Sequence, residues 1–308
     1  MKTEKMHIDI IGAAQSLGCG RDGVQYGPDY LRNKGLISKL QQYDLSIADL
    51  GNIYNDCSII CSTNEKLKNY EQIADFNERL ASVVSNSVEC GHFPLVLGGD
   101  HSLGIGSVSG VSNALGVENL CLIWVDAHTD INIETTTPTG NIHGMSIASL
   151  LGYGCDELAR ICGKTPKILP QNIIYVASRD IDEGEAEIIS NNNIAVVHMN
   201  DIESNGIDVA VDNLQEIIKK ITAPHIYLSI DIDVLDPQYA PGTGVPVPNG
   251  INKEQVLKFI DAIVCSGRVV GVELVEVNPL LDNQNNSTSK IAIDIIDYVI
   301  DNVVKNLS

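Results

Sequence analysis

Leu120-Cys121-Leu122-Ile123-Trp124-Val125 is an uninterrupted apolar run of strand length that passes directly into Asp126-Ala127-His128-Thr129-Asp130. A run apolar at every position, and not only at alternate ones, marks a strand buried on both faces of a parallel sheet. Seven further runs rich in Val, Ile and Leu recur at residues 7–11, 45–50, 94–97, 173–177, 195–198, 225–230 and 269–275. Apolar residues at helical spacing lie between or after them, over 67–90 (stopped by Gly91), 209–221, 253–264 and 289–304, with a polar loop over 283–288. The alternation predicts an α/β three-layer sandwich, an eight-stranded mainly parallel sheet flanked by helices. No Pro/Gly/Ser-rich linker and no solenoid period interrupts the series, so residues 1–308 are expected to form a single domain.

In parallel sheets the ligand crevice lies beyond the carboxyl ends of the strands. If the chain stays extended after Val125, then Asp126, His128 and Asp130 share one face. The run 225–230 ends similarly in Asp231-Ile232-Asp233, and 94–97 ends in Gly98-Gly99-Asp100-His101. Asp100 alone, or Asp236, reads equally well as a turn residue or helix cap. Four aspartates and two histidines delivered to one edge would repel at a cost of several kcal/mol per unpaired charge unless cations neutralise them. Oxygen-rich ligation with two imidazoles and no nearby cysteine suits Mn²⁺ better than a structural Zn²⁺. Four carboxylates exceed what one ion needs. Two ions about 3.5–4 Å apart would use them all and could hold a hydroxide between them.

Composition narrows the partners. Lys and Arg total 20 against 40 Asp and Glu, a formal net charge of -20, which repels phosphate backbones and attracts cations. Nucleic acid is therefore not an expected partner. No apolar run reaches the ~18 residues of a membrane span, and the N-terminal residues lack a secretory signal, so no membrane association is expected. Eight cysteines are scattered without a Cys-x-x-Cys pair, as reduced thiols of a cytoplasmic protein would be.

Three stretches resemble the metal-binding signatures of the ureohydrolases: Gly98-Gly99-Asp100-His101-Ser102, residues Trp124 to Asn132, and residues Ser229 to Pro237. Thr137-Pro138-Thr139-Gly140-Asn141-Ile142-His143-Gly144 resembles the substrate loop of arginases specifically, and the likeness extends from Gly23 to Pro279. The resemblance implies hydrolysis of L-arginine to L-ornithine and urea with two Mn²⁺ per chain. It implies that His101, Asp126, Asp130 and Asp231 hold one ion and Asp126, His128, Asp231 and Asp233 the other. His143 (the proton shuttle), Glu276 (the carboxylate facing the guanidinium) and Asp130 form the implied catalytic set. Asn132, Thr139 and Asn141 would read the substrate carboxylate, and Asp182 and Glu185 its ammonium. Without the resemblance, Asp182 reads as a helix cap with Glu185 as its capping-box partner.

Two positions depart from the family pattern: Thr139 stands where serine is common, and Val245 where a threonine hydroxyl usually holds the glutamate. The family resemblance also implies a homotrimer or hexamer. The alternatives are an amidinohydrolase for agmatine, disfavoured by donors that would face no carboxylate, and a catalytically idle metal-binding subunit.

Overall fold

A computed structural model describes residues 5–61 and 63–306, and in it the eight apolar runs become eight strands. They are β1 (His7–Ala14), β2 (Ser46–Tyr54), β3 (Phe93–Gly98), β4 (Leu120–Val125), β5 (Ile173–Ser178), β6 (Ala195–His198), β7 (His225–Asp231) and β8 (Val269–Val275). They form one sheet in the order β2-β1-β3-β8-β7-β4-β5-β6, with every neighbouring pair parallel.

Successive side chains enter two different cores, as the two-residue period of a strand requires. In β4, Cys121, Ile123 and Val125 join one apolar cluster and Leu120, Leu122 and Trp124 the other. The main helices are α1 (Gly27–Asn33), α2 (Tyr70–Glu89), α3 (Gly104–Leu115), α4 (Ser146–Leu151), α5 (Glu183–Asn191), α6 (Ile207–Lys220), α7 (Lys253–Val264) and α8 (Ser287–Asn306). Leu31 of α1, Leu214 of α6, Phe259 of α7 and Ile296 of α8 pack on the first face. Phe76 and Leu80 of α2, Val108 of α3 and Leu150 of α4 pack on the second. The three layers expected from the alternation are thus present. No helix among the described residues is long and apolar enough to cross a membrane.

Boundaries move where small or polar residues carry the pairing. β1 runs past residue 11 because Gly12, Ala13 and Ala14 pair with Asn52, Ile53 and Tyr54 of β2. β2 is an edge strand with mixed exposure, so its polar half, beyond residue 50, gave no apolar signal. The helix expected from residue 289 begins at Ser287, two residues inside the expected polar loop. There the Asp282 carboxylate accepts from Thr288 N–H and Ser289 N–H. The sheet order places β3, β8, β7 and β4 side by side, and their carboxyl ends bring residues 98–101, 276, 231–233 and 126–130 to one edge.

Candidate metal centre and substrate cleft

The chain does not simply stop at each strand end; it is pinned there. Asp126 Oδ1 accepts from His128 N–H at 2.7 Å and Asp231 Oδ1 from Asp233 N–H at 2.8 Å, tight local turns that leave each second carboxylate oxygen free to point outward. Asp100 is fully buried and accepts from Gly18 N–H and Ser102 N–H. That fixes the loop carrying His101 and gives Asp100 the capping role that is its simpler reading. Asp130 and Glu276 stand at φ 48° and 62°, in the left-handed region that non-glycine residues seldom adopt.

These constraints converge on two foci. His101 Nδ1 lies 2.9 Å from Asp126 Oδ2, 3.3 Å from Asp130 Oδ2 and 3.2 Å from Asp231 Oδ2. His128 Nδ1 lies 3.4 Å from Asp126 Oδ1 and 3.1 Å from Asp233 Oδ2. His101, Asp126 and Asp231 offer ligand atoms within 4.8 Å of one another, as do Asp126, His128 and Asp233, so Asp126 belongs to both groups. The far side of His101 is also committed: its Nε2 is 2.8 Å from Ser229 Oγ. A tautomer that donates Nε2–H to Ser229 leaves the Nδ1 lone pair facing three carboxylates, an arrangement that a cation between them makes favourable. His101 Nδ1 and Asp126 Oδ2 are both buried without a hydrogen bond of acceptable geometry. The donor set therefore fits a pair of divalent ions.

Electrostatics agree. Burial, followed by the charges of Asp233 and Asp126, raises Asp231 well above the usual carboxylate range, and burial raises Asp233 to about 6. Burial would lower the two imidazoles, but Asp126, Asp130 and Asp231 around His101, and Asp233 and Asp126 around His128, push both well up. The cluster holds protons where it lacks other positive charge.

Above the foci opens a cleft of ≈ 230 Å³. Every residue expected at the site lines it except His101 and Asp126, which are buried. Glu276 Oε1 accepts from His101 N–H at 3.0 Å and lies 3.1 Å from His143 Nδ1, whereas Glu276 Oε2 is buried without a partner among the described residues. Val245 shares the cleft lining, and a Cβ on its neighbour Gly244 would lie 3.5 Å from that oxygen. Asn132 Nδ2 donates to Asp182 Oδ2, and Asn141 Nδ2 donates to Cys19 O. Each amide has a second N–H to offer.

Glu185 is only 4% exposed and its carboxylate accepts from Ile131 N–H and Asp182 N–H. The capping reading thus holds for it, and burial raises it to about 7. The structure also adds groups without a role in the sequence reading. Arg179 donates to the carbonyls of Asp233, Val234 and Val247, and Glu273, buried on β8, accepts from Ser107 and Tyr227 beneath His101. A charged residue inside the apolar run 269–275 was the available signal for Glu273.

The arginase family model matches residues 6–300. The chain belongs to the arginase family. An arginase of Staphylococcus aureus (strain COL) is 40% identical over 297 residues, 96% of this chain and 97% of the relative. The native arginase structure from Bacillus caldovelox at pH 5.6 superposes with a TM-score of 0.90 at 36% identity, covering 96% of this chain and 98% of that one. The Entamoeba histolytica arginase in complex with L-ornithine gives 0.86 at 28% identity, covering 96% and 99%. Arginase membership and the paired His/Asp foci agree on a binuclear metal site.

Proposed function

We propose that this chain is an arginase acting as a single catalytic domain over residues 1–308, cleaving L-arginine and water to L-ornithine and urea with two Mn²⁺. His101, Asp126, Asp130 and Asp231 would hold one ion, and Asp126, His128, Asp231 and Asp233 the other. The carboxylate-rich donor set supports Mn²⁺ over ions that prefer sulfur or imidazole. When bound, the ions supply Lewis acidity and bring the pKa of water toward neutrality.

The protein's own groups do the rest. Glu276 Oε2, buried and unpartnered at the cleft, is the observation that carries the reading. A carboxylate so placed binds a guanidinium through charge-assisted hydrogen bonds and turns its carbon toward the ions. His143, 3.1 Å from Glu276, moves a proton between the cleft and the departing amine. Asn132, Thr139 and Asn141 offer N–H and O–H groups to the substrate carboxylate. Asp182 faces the ammonium, with Glu185 acting mainly by holding Asp182 and Ile131. The same family supports a homotrimer or hexamer, and eight free cysteines support a cytoplasmic setting.

Urea release from L-arginine and from agmatine, with and without Mn²⁺, tests the reading. Agmatine lacks the carboxylate, and each lost hydrogen bond to a charged group costs about 1.5–3 kcal/mol, so the loss of two such bonds should make kcat/KM favour arginine by a factor on the order of 10²–10⁴. Comparable rates on both substrates would make the chain an amidinohydrolase of broader choice; no urea from a fully Mn²⁺-loaded protein would leave only a metal-binding subunit.

A further inference from the structure

At the opposite edge of the sheet, where the strands begin, three more side chains of metal-ligating type meet. His7 and Asp9 open β1 two residues apart and so share a face. His92 directly precedes β3, and the register Ile8↔Phe93, Asp9↔Pro94 sets it alongside His7. The turn that ends α2 holds it there, with His92 N–H donating to Ser87 O at 3.0 Å. Asp9 is 5% exposed and stands on the strand face that continues with Ile11 and Ala13 in an apolar cluster. Its Oδ1 lies 3.2 Å from His7 Nε2 and its Oδ2 2.9 Å from His92 Nδ1. The two imidazoles stack with centroids 3.9 Å apart, and their side chains are 29% and 32% exposed.

A carboxylate on an apolar face needs a positive partner, and a divalent ion shared with the two flanking imidazoles supplies one. Two nitrogens and one oxygen lie within 4.8 Å of one another, near enough for one ion to gather them as ligands, and three protein donors leave a coordination position open to solvent. β1 puts about 23 Å of strand between His7 and Ala14 at the catalytic edge, and none of the three residues lines the cleft.

We propose that His7, Asp9 and His92 form a separate site for one divalent transition ion of the Zn²⁺ or Co²⁺ class. Its imidazole-rich set differs from the carboxylate-rich catalytic set and so prefers different metals. An ion here ties the start of β1 to the start of β3 and acts on stability, not turnover.

The test counts metal. Protein loaded with Mn²⁺ is equilibrated with Zn²⁺, and total Mn²⁺ plus Zn²⁺ is measured per chain for the wild type, His92→Gln and His7→Gln. The wild type should hold one ion more than either variant, and its melting temperature should rise with Zn²⁺ where theirs does not. Zn²⁺ affinity at this site should fall more than about a hundredfold, beyond the loss of an outer-shell partner. Urea release by the variants should match the wild type. Equal counts in all three proteins overturn the proposal, including the case where an extra ion sits on an exposed thiol. His7→Gln, at the partly exposed start of its strand, keeps the test usable if His92→Gln does not fold. Because the readout is a difference in ion number, it stands or falls independently of arginine hydrolysis.

Discussion

Glu276 combines a left-handed backbone, a carboxylate oxygen shared between His101 N–H and His143, and a second oxygen with no partner. A non-glycine residue in that conformation costs roughly 1–3 kcal/mol, which the surrounding strands must offset. A threonine at position 245 could donate to the unpartnered oxygen. Val245→Thr should therefore raise kcat/KM roughly two- to tenfold, below the full contribution of a bond to a charged group because the position is partly exposed; no change would show that the hydroxyl does not reach. Burial lowers the pKa of His143, but Glu276 outweighs it and brings the imidazole up to about 8. Only the neutral ring accepts a proton, so activity should climb from pH 6 through 8 toward 9, and His143→Ala should lower kcat more than it changes KM. A flat or acid-peaked profile would contradict this role. Stability runs the other way: the folded pKa lies above 6.5, so the contribution of His143 is complete below pH 6.5 and is lost as pH rises through 8.

Elements meet closely at Gly99. Its N–H donates to Ala13 O at 2.8 Å and its carbonyl accepts from Glu276 N–H at 2.9 Å, while Asp100 N–H donates to Gln15 O at 2.9 Å. The ends of β1, β3 and β8 are thereby joined through one residue, and a Cβ there would lie 1.9 Å from Gln15 O. Gly99→Ala should cost about 1–3 kcal/mol by overpacking and also reduce metal loading, seen as a lower melting temperature and fewer Mn²⁺ per chain. Unchanged loading would mean that His101 tolerates the shift.

The same close packing explains what could be read in advance. Three strand-end motifs were legible because buried strands are apolar and the acids that follow them are not. α3 was not legible, since its glycines and serines are poor helix formers. Gly106 and Gly110 are there to let α3 approach α2, where a Cβ would meet Asn77 Oδ1 at 2.6 Å and Ala81 O at 2.6 Å. Arg179 was equally hidden, because its partners are carbonyls brought near only by the fold.

For the molecule as a whole, the charge of -20 should draw a cationic substrate toward a cleft lined by Asp130, Asp180 and Asp182. Raising salt should lower kcat/KM for arginine while leaving kcat nearly constant, and an unchanged ratio would return the charge to a role in solubility. The order of the sheet bears on how such a protein is made. β8, the last strand in sequence, lies in the middle, between β3 and β7. Until residues 269–275 leave the ribosome, the chain can build only two separate ribbons, β2-β1-β3 and β7-β4-β5-β6, each with a bare apolar edge. Such edges invite pairing with other nascent chains, and the closing contacts span long sequence separations, a slow and aggregation-exposed step. His101 sits on one ribbon, and Asp126 and Asp231 on the other. The growing polypeptide therefore cannot bring His101 to Asp126 and Asp231 until β8 has been made and has joined the two ribbons, whereas Asp126, His128 and Asp233 lie on one ribbon from the start.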